Sequence, residues 1–467
     1  MLVLGGCLAI GAANVKSETE SDSWLSLLAG RLIVHNGLPH HDTLTSLTLG
    51  RAWVDQQWLA HVVLYGLWAA GGWALALLVA TVLYTAAFAV LAGSARLRKA
   101  SDRSVAVVTV FCFLAGLTNT AYRAQILSYL LFALVLALVL ADERRSSRWV
   151  YLVIPVLVVW ANVHGSVLIG AVLVTLRGAL FGVSALRRHA PARGWLLRAG
   201  ILVGAPWLAV LASPYALGLP GYYRSVLGNS ELARASSEWG ASTLGGQPWF
   251  YGLLVVGVLI VVLGRRSLTP FGALAFALTA ALGILGIRNV AFFALAAAAV
   301  LPAALDRAWP AGDSESHPRL NLALGLTGLI AGVAVFGGVA THPESWFAPK
   351  LPTGGLAAVA KAAAADPTAE IFADEEHADG LLFEEPALAG RIAYDIRYEL
   401  LTPAQLRRIV AFRKEQGTDW PAAVRPYKLL VLDQVSDAGA IRLFEREPGT
   451  TVLFPGPYMV VLKRATG

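Results

Sequence analysis

Charged side chains are scarce in this sequence. Asp, Glu, Lys and Arg make up 14% of its 467 residues, and hydrophobic residues make up 57%. An ordinary soluble domain carries about 25% charged residues. A chain with so little charge cannot hide its apolar side chains in a water-soluble core, so the composition predicts a membrane protein.

Cysteine is also scarce, and no internal repeat of fixed period is found. The two cysteines, Cys7 and Cys112, both lie in apolar runs, which excludes a disulfide framework and a Cys-rich metal site. The net charge of +7 comes mostly from Lys and Arg in the short gaps between apolar runs. This distribution follows the positive-inside rule of membrane proteins, so no nucleic-acid partner is expected.

Long apolar stretches occupy most of the first 341 residues and predict about eleven membrane spans. The first stretch is short for a span and could be the core of a signal peptide. It lacks preceding basic residues and a clear cleavage site, so we interpret it as a membrane helix that is truncated or begins in the interface. The half-apolar segment Trp58–Gly72 is predicted to lie along the interface. The stretches are 2–15, 73–95, 104–120, 123–141, 149–163, 165–186, 196–212, 249–264, 269–287, 288–305 and 320–341.

The basic residues predict an orientation. Arg and Lys concentrate in alternate gaps, at 96–103, 142–148 and 187–198, then at Arg265–Arg266 and at Arg307 and Arg319. By the positive-inside rule these gaps are cytoplasmic. The intervening gaps, including the long loops 16–57 and 213–248, are then expected on the outer side. We interpret Arg177, inside a span, as a snorkelling residue without a function.

Residues 342–467 differ in character from the rest of the chain. They are richer in Asp and Glu and mix strand-like segments ("AEIFA", "RIAYD", "YKLLVLD", "AIRLFE", "YMVVLKR") with one amphipathic helix ("TPAQLRRIVAFRKEQG"). The sequence therefore predicts a polytopic α-helical membrane protein, with a transmembrane domain at 1–341 and a soluble, extracytoplasmic α/β domain at 342–467.

Three of the five carboxylates in the first outer loop, which also contains Glu18 and Glu20, are candidate site residues. Asp22 begins a segment of helical spacing that ends at a glycine, so it is either a helix cap or a functional acid at the membrane surface. Asp42 precedes "TLTS" and has the same two interpretations, and Asp55 follows it in the loop. The run His40-His41-Asp42 resembles a metal-ligand cluster, although adjacent loop histidines are more often simply solvated.

Further polar residues are predicted at the outer ends of membrane helices: Arg123, Asn162, His164, Arg288 and Asn289. Snorkelling would explain the arginines and helix capping the others. Outer-end arginines are nevertheless unusual under the positive-inside rule. Arginines beside carboxylates indicate a polar cavity that binds an anion, and a phosphate fits because Arg binds it bidentately.

The second long outer loop contains Glu238 and Trp239. Trp239, like Trp160, fits the interfacial aromatic belt, but the pair Glu238-Trp239 is also a candidate for the same cavity.

The order of the motifs resembles the GT-C glycosyltransferases, in particular bacterial relatives of polyprenyl-phosphate-sugar mannosyl- and aminoarabinosyltransferases. The similarity covers most of 16–306, and the tail resembles the extracytoplasmic domain of uncharacterised members. The segments that carry it are "DSWLSLLAGRLIVHNGLPHHDTLTS", "WVDQQWLAHVVLYGLWAAGG", "YRAQILSYLLFAL", "VVWANVHGSVLIG", "SPYALG", "SEWGAS" and "IRNVAFFAL".

The resemblance implies a GT-C fold and a lipid-linked sugar donor. It also implies that Asp22, at the position of the acidic residue of the first outer loop, acts on the acceptor. The hypothesis is inverting sugar transfer from a polyprenyl phosphate to a glycan, lipid or protein acceptor, with Asp22 as the base. Arg123 and Arg288 would stabilise the departing phosphate. Asp42 or Asp55 would orient the acceptor or hold a divalent cation.

Supporting roles complete the hypothesis. His164 would hydrogen-bond the phosphate or the sugar, with Asn162, Glu238 and Asn289 in the same cavity. Trp24 and Trp53 would stack on sugar rings. A divalent cation, Mg²⁺ or Mn²⁺, is permitted by the loop carboxylates but not required, and its ligands would be Asp22 and Asp42.

The alternative is a non-catalytic membrane protein, either a transporter or flippase of lipid-linked sugars or a scaffold. Transporters usually place ionisable residues near the bilayer midplane, within inverted repeats. Here these residues concentrate on one predicted face and no repeat is found, which favours the enzyme.

Overall fold

In a computed structural model of the chain, residues 2–14, 19–117, 120–188, 192–310 and 318–465 are described. Residue 15, the last of the first apolar stretch, 16–18, at the start of the first predicted outer loop, and 118–119, in the third apolar stretch, lie outside them. All eleven apolar stretches contain a helix. The helices through residue 340 are α1 (Leu2–Asn14), α2 (Ser21–Asn36), α3 (Trp58–Leu97), α4 (Asp102–Gly116), α5 (Gln125–Arg144), α6 (Val153–Ala161), α7 (Val167–Arg187), α8 (Ala192–Val210), α9 (Leu219–Leu227), α10 (Ser230–Ala235), α11 (Pro248–Leu263), α12 (Pro270–Leu285), α13 (Val290–Ala308) and α14 (Pro318–Ala340).

The rest of the chain forms short helices and a small sheet. These elements are α15 (Glu344–Phe347), α16 (Thr353–Ala365), β1 (Ile371–Ala373), α17 (Ala378–Glu384), α18 (Pro403–Arg413), β2 (Leu429–Asp433), α19 (Ala438–Glu445), β3 (Thr451–Pro455) and β4 (Met459–Lys463).

Among the described residues, five helices are long and apolar enough to cross a bilayer, so the chain is a helical membrane protein. They are Trp58–Leu97, Gln125–Arg144, Val167–Arg187, Ile287–Ala308 and Leu322–Ala340. Five further apolar helices are only 10–17 residues long. A span of the hydrocarbon core takes about 20 residues. The total of about eleven spans therefore stays a prediction.

The chain divides into two compact units. Unit 1 contains 1–15, 75–216 and 238–341, and unit 2 contains 16–74, 217–237 and 342–467. In unit 1, α13 is the most buried helix, and it packs against α4, α5, α11 and α12. Its run of alanines explains this position, because small side chains allow neighbouring backbones to approach closely.

An ion-pair network in unit 1 corrects the interpretation of Arg177. Its side chain is buried, and its guanidinium contacts the carboxylate of Asp142 on α5 at 2.8 Å. Arg198 on α8 binds the same carboxylate. Arg177 therefore joins helices inside the unit instead of snorkelling, because a buried charge must be paired.

Helix α3 is broken at Gly71 and Gly72. Gly72 has φ +62°, and the carboxylate of Glu344 accepts a hydrogen bond from Trp73 N–H at 3.3 Å. Glu344 thus satisfies a backbone donor at the start of the second half of α3. The break lies where the sequence separates the interfacial segment Trp58–Gly72 from the stretch that begins at residue 73.

Replacing Gly72 with alanine should destabilise the protein by about 1–3 kcal/mol. A Cβ at this position would lie 2.0 Å from Glu344 Oε1, and φ +62° disfavours any side chain. The measurement is thermal unfolding in detergent. Gly66→Ala in the same helix is the matched control: a Cβ there meets nothing within 4 Å, so it should be neutral or stabilising. Equal unfolding temperatures for the two variants would contradict this account of the break.

The sheet of unit 2 has the strand order β1-β2-β4-β3. Strands β1 and β2 are parallel, and the pairs β2–β4 and β3–β4 are antiparallel. The carboxyl ends of β1 and β2 therefore meet at one edge of the sheet. The predicted helix in the tail is α18, which begins with a capping box formed by Thr402 and Gln405.

Two strand predictions in the tail were wrong. "AIRLFE" is helix α19, because its buried residues Ala440, Ile441 and Phe444 follow a helical spacing. "RIAYD" forms no strand and only makes isolated bridges through Ile392 to Thr45 and Ile371. Strand β3 was not predicted, because its largely exposed residues give it no alternating pattern.

Unit 2 is built from three separate chain segments. Thr45 of the first loop pairs with Ile392 of the tail, and Arg413 Nη1 donates to the carbonyl oxygen of Ala235 at 2.6 Å. The tail thus shares its packing with the loop segments of unit 2.

Candidate functional site

Helix α2 positions Asp22. The backbone N–H of Glu20 donates to Ser23 Oγ at 3.1 Å, so the helix is capped at Glu20 and Asp22 lies in its first turn. The helix ends at Gly37, whose φ of +82° suits glycine. The interpretation of Asp22 as the N-cap was therefore wrong, because the N-cap is Glu20, two residues earlier. A carboxylate in the first turn still interacts favourably with the helix dipole.

Asp22 has acidic neighbours from the segment after β1, which sequence reasoning missed. Burial raises the pKa of Glu375 to about 7, with Asp22 among the charges that add to the shift and Arg413 opposing it. Burial also raises the pKa of Asp379 well above its usual range, and the charges of Asp395 and Asp22 add to the effect. Helix α17, which contains Asp379, packs against α2. Asp22 thus lies in a carboxylate-rich part of unit 2.

Asp42 is held in a buried network. Arg397 Nη2 binds its Oδ1 at 2.7 Å, and Leu44 N–H donates to the same atom at 3.1 Å. Its Oδ2 accepts from Thr45 Oγ1 at 2.9 Å and Thr48 Oγ1 at 2.5 Å. Burial opposes ionisation, but Arg397 and these donors together lower the pKa of Asp42.

The donor set of Asp42 does not fit a divalent cation. Both carboxylate oxygens already accept hydrogen bonds from protein groups, and a cation would compete with the guanidinium of Arg397. In the described parts of the chain, no group of three or more His, Cys, Asp or Glu side chains could hold a metal ion. The predicted ligand pair Asp22 and Asp42 is therefore not supported, and no chemical step is assigned to a metal.

Arg397 is the centre of this network. It also binds Asp395 at 2.5 Å, and its guanidinium carbon lies 4.3 Å from the ring centre of Trp53.

Asp55 pairs with His61 at 2.9 Å. Burial raises the pKa of Glu399 to about 7, and the charges of Asp395 and Asp55 add smaller contributions.

Of Asp22, Asp42 and Asp55, only Asp42 is shown in direct contact with Arg397. The charges of Arg397 and Asp55 both act on the pKa of Glu399, and those of Arg397 and Asp22 both act on the pKa of Asp379. Residues of the first loop and residues of the tail together form this network.

The predicted sugar-stacking tryptophans are buried. Trp24 is 6% exposed and packs against Trp73 and Phe383, with ring centres 5.2 and 5.8 Å away. Trp53 is 3% exposed, and Arg397 covers its ring. Within unit 2 their rings contact protein groups, which corrects the expectation that they present open faces to a sugar.

His377 lies at the edge where the parallel strands β1 and β2 end. Its Nδ1 contacts Asp374 Oδ1 at 2.8 Å, and its Nε2 lies 3.0 Å from the carbonyl oxygen of Lys350. Both ring nitrogens face acceptors, which favours the doubly protonated ring. Burial works against this charge, but Asp374, together with the charges of Glu376 and Asp433, outweighs burial and raises the pKa of His377.

The stability that His377 contributes should depend on pH. A raised folded-state pKa gives stability that is complete below the unfolded value of about 6.5 and is lost as pH rises through the folded value. We expect His377→Gln to lower the unfolding temperature most near pH 6 and progressively less as pH rises. The exposed His35→Gln is the control. A deficit of His377→Gln that grows with pH would contradict the assigned charge.

In unit 1 the structure brings together Arg123, Glu238 and Arg288. Arg123 Nη1 contacts both carboxylate oxygens of Glu238, at 2.6 and 2.5 Å. Arg288 stacks on Trp239, with its guanidinium carbon 4.1 Å from the ring centre. Burial opposes the charge of Glu238, but Arg123 and then Arg288 lower its pKa. We call Arg123, Glu238 and Arg288 the arginine cluster.

Backbone contacts position the arginine cluster. Gln125, in the first turn of α5, donates from Nε2 to the carbonyl oxygen of Arg288 at 2.7 Å. Arg288 and Asn289 lie in a short 3₁₀ turn between α12 and α13. Asn289 Nδ2 donates to the carbonyl oxygen of Leu282 at 3.2 Å, so Asn289 closes the end of α12.

The two remaining predicted residues lie at the turn between α6 and α7. Asn162 Nδ2 donates to the carbonyl oxygens of Val158 and Ala212, both at 2.8 Å. His164 Nδ1 lies 2.7 Å from Ser166 Oγ. These contacts show how the turn is held, and a role in substrate binding stays a prediction for both residues.

Comparisons with known proteins give a similarity in structure alone. No protein-family model matches the sequence, and no curated protein matches it. Among solved structures, the apo oligosaccharyltransferase of Archaeoglobus fulgidus aligns with a TM-score of 0.50 at 12% identity, over 91% of this chain and 69% of that chain. The same enzyme tethered to an acceptor peptide with the NVT sequon gives 0.51 at 11% identity, over 91% and 68%.

A third structure is the archaeal oligosaccharyltransferase AglB from Archaeoglobus fulgidus in complex with an inhibitory peptide and a dolichol-phosphate. It aligns with a TM-score of 0.52 at 13% identity, over 91% of this chain and 69% of that chain. Such identities concern the fold alone, and the chain shares the fold of this archaeal oligosaccharyltransferase. The GT-C family and its bacterial, polyprenyl-phosphate branch stay predictions.

Proposed function

We propose that this chain is a membrane glycosyltransferase. It would move a sugar, with inversion, from a polyprenyl-phosphate donor to an extracytoplasmic glycan, lipid or protein acceptor. The observation that carries the proposal is the fold shared with the oligosaccharyltransferase AglB over 91% of the chain. The protein would lie in a bacterial inner or plasma membrane, with the loop 16–57 and the tail 342–467 on the outer side.

Two features of the residues support this chemistry. The arginine cluster contains two guanidinium groups, which suit a phosphate because Arg binds it bidentately. Asp22 lies in a carboxylate-rich part of unit 2 at the start of α2, where the resemblance to GT-C enzymes expects the acid. AglB was solved with a dolichol-phosphate, so that protein binds a lipid phosphate.

The proposed reaction balances as a single displacement. The acceptor oxygen attacks the anomeric carbon of the sugar, while the bond from that carbon to the phosphate oxygen breaks. Asp22 accepts the acceptor's proton, and the polyprenyl phosphate leaves with the bonding electron pair. Arg123 and Arg288 stabilise the negative charge that develops on the leaving phosphate. Attack from the face opposite the leaving group inverts the anomeric carbon.

The proposal is tested with purified protein, a panel of radiolabelled polyprenyl-phosphate sugars and a membrane extract as the source of acceptor. We expect one donor to lose its sugar to an acceptor, with release of polyprenyl phosphate. Binding of polyprenyl phosphate without turnover of any donor would contradict the enzyme and favour the transporter or scaffold.

A further inference from the structure

Several basic gaps of unit 1 meet at one end of its helices. Arg144 Nη1 donates to the carbonyl oxygen of Leu97, so the end of α5 lies beside the end of α3. Ser101 N–H donates to Asp306 Oδ2 at 2.7 Å, which places the turn between α3 and α4 beside the end of α13. The gaps at 96–103 and 142–148 are therefore neighbours of the end of α13.

The turn between α11 and α12 lies at the same end. Phe271 N–H, in the first turn of α12, donates to Glu143 Oε1 on α5 at 2.9 Å. Gly264, which follows α11, packs directly on α13, because a Cβ there would lie 2.2 Å from the carbonyl oxygen of Ala304. The short turn Arg265–Ser267 comes next in the chain and so joins the other basic gaps.

Six cationic side chains at this end are exposed, and none forms an ion pair with a residue that the structure describes. We call them the basic end of unit 1: Lys99, Arg145, Arg148, Arg265, Arg266 and Arg307. Four carboxylates at this end are already engaged: Asp102 with Arg96, Asp142 with two arginines, and Glu143 and Asp306 with backbone N–H groups. The basic end therefore has its charge available for an anion outside the chain.

The basic end lies at the level where a bilayer has its head groups. Helix α5 and the helix Ile287–Ala308 are long and apolar enough to span a membrane. Arg145 follows the first directly, and Arg307 lies in the last turn of the second. Trp149 and Trp309 at the same end are 71% and 69% exposed, and exposed indoles are typical of a membrane–water interface. Exposed aromatic rings beside cations favour a lipid over a soluble anion.

We propose that the basic end is a binding surface for anionic phospholipid head groups. Each Lys or Arg that engages an anionic membrane surface strengthens association by about fivefold. A zwitterionic head group carries its own positive charge and would gain much less. This inference does not depend on the proposed sugar transfer.

The experiment uses purified full-length protein in phosphatidylcholine vesicles that contain a trace of spin-labelled lipid. The label is carried by phosphatidylglycerol or by phosphatidylcholine, and electron paramagnetic resonance measures the fraction of each that is bound to protein. Wild type should prefer phosphatidylglycerol by about threefold or more at low salt. The preference should fall in about 1 M NaCl, because salt screens exposed charges.

Variants test whether the basic end is the source of this preference. The test variant removes four of its charges: Arg145→Gln, Arg148→Gln, Arg265→Gln and Arg266→Gln. The matched control removes four exposed charges of unit 2: Arg408→Gln, Lys414→Gln, Arg442→Gln and Arg446→Gln. The test variant should lose most of the preference and the control should keep it. Thermal unfolding in detergent checks that both are folded, and the double variant at 265 and 266, in an exposed turn, replaces the fourfold variant if that one is not.

Three results would overturn the inference. They are equal association of the two lipids with wild type, a preference that the test variant retains in full, and an equal loss of preference in the test variant and the control. Each of them leaves the proposed function untouched, since the readout is lipid association and not sugar transfer.

Discussion

Asp22→Asn is expected to abolish sugar transfer while donor binding changes little. The amide keeps the size of the side chain but cannot accept the acceptor's proton, so the rate should fall by about 10²–10⁴-fold. Binding of the donor should persist, because the proposed phosphate contacts come from Arg123 and Arg288. The measurement compares transfer rate and donor affinity for wild type and variant.

Asp102→Asn is the matched control for this prediction. Asp102 pairs with Arg96 at 2.7 Å, and the two side chains are 72% and 60% exposed, so its loss should affect neither transfer nor stability appreciably. Transfer at the wild-type rate by a folded Asp22→Asn protein would show that Asp22 takes no part in the reaction. The carboxylates beside it, Glu375 and Asp379, would then be the next candidates for the base.

Arg397→Met is expected to destabilise the protein by about 3–5 kcal/mol, because two buried carboxylates lose their counter-ion. Asp42 and Asp395 both bind this guanidinium, and all three side chains are at most 3% exposed. The same change uncovers the ring of Trp53. The measurement is thermal or denaturant unfolding of the full chain in detergent.

The control for Arg397 is Arg425→Met. Arg425 pairs with Asp419 at 2.7 Å, but both side chains are about two-thirds exposed or more, and such pairs contribute about 0–1 kcal/mol. Similar losses of stability in the two variants would mean that the Arg397 network does not hold unit 2 together.

The helices of the apolar stretches were predictable from the sequence, because a bilayer imposes long apolar runs and basic gaps that can be read one segment at a time. The end of α2 at Gly37 and the break of α3 at Gly72 also follow from local composition. Helix α19 and strand β3 were not predictable in this way. A short helix on a sheet and an exposed edge strand carry weak patterns, and tertiary packing decides them.

The candidate site was only half predictable, because its polar partners are distant in the chain. Asp42 and Arg397 are 355 residues apart, and Arg123 and Glu238 are 115 apart. Sequence reasoning selected Asp42, Arg123 and Glu238 as unusual but could not pair Asp42 with Arg397.

The signal that was missed is the polar run "DEEHAD", which follows β1 directly and contributes Glu375, His377 and Asp379. Polar residues at the carboxyl end of a parallel strand are common in binding sites, and this run met that pattern.

A doubly labelled donor tests the central claim most directly. Its phosphate carries ³²P and its sugar carries ³H, and the purified protein is placed in liposomes with the acceptor extract. The account predicts that the two labels separate, with ³H moving to the acceptor and ³²P staying on the polyprenyl phosphate, and that Asp22→Asn prevents the separation. Labels that cross the membrane together, at the same rate in wild type and Asp22→Asn, would contradict the account and identify a transporter.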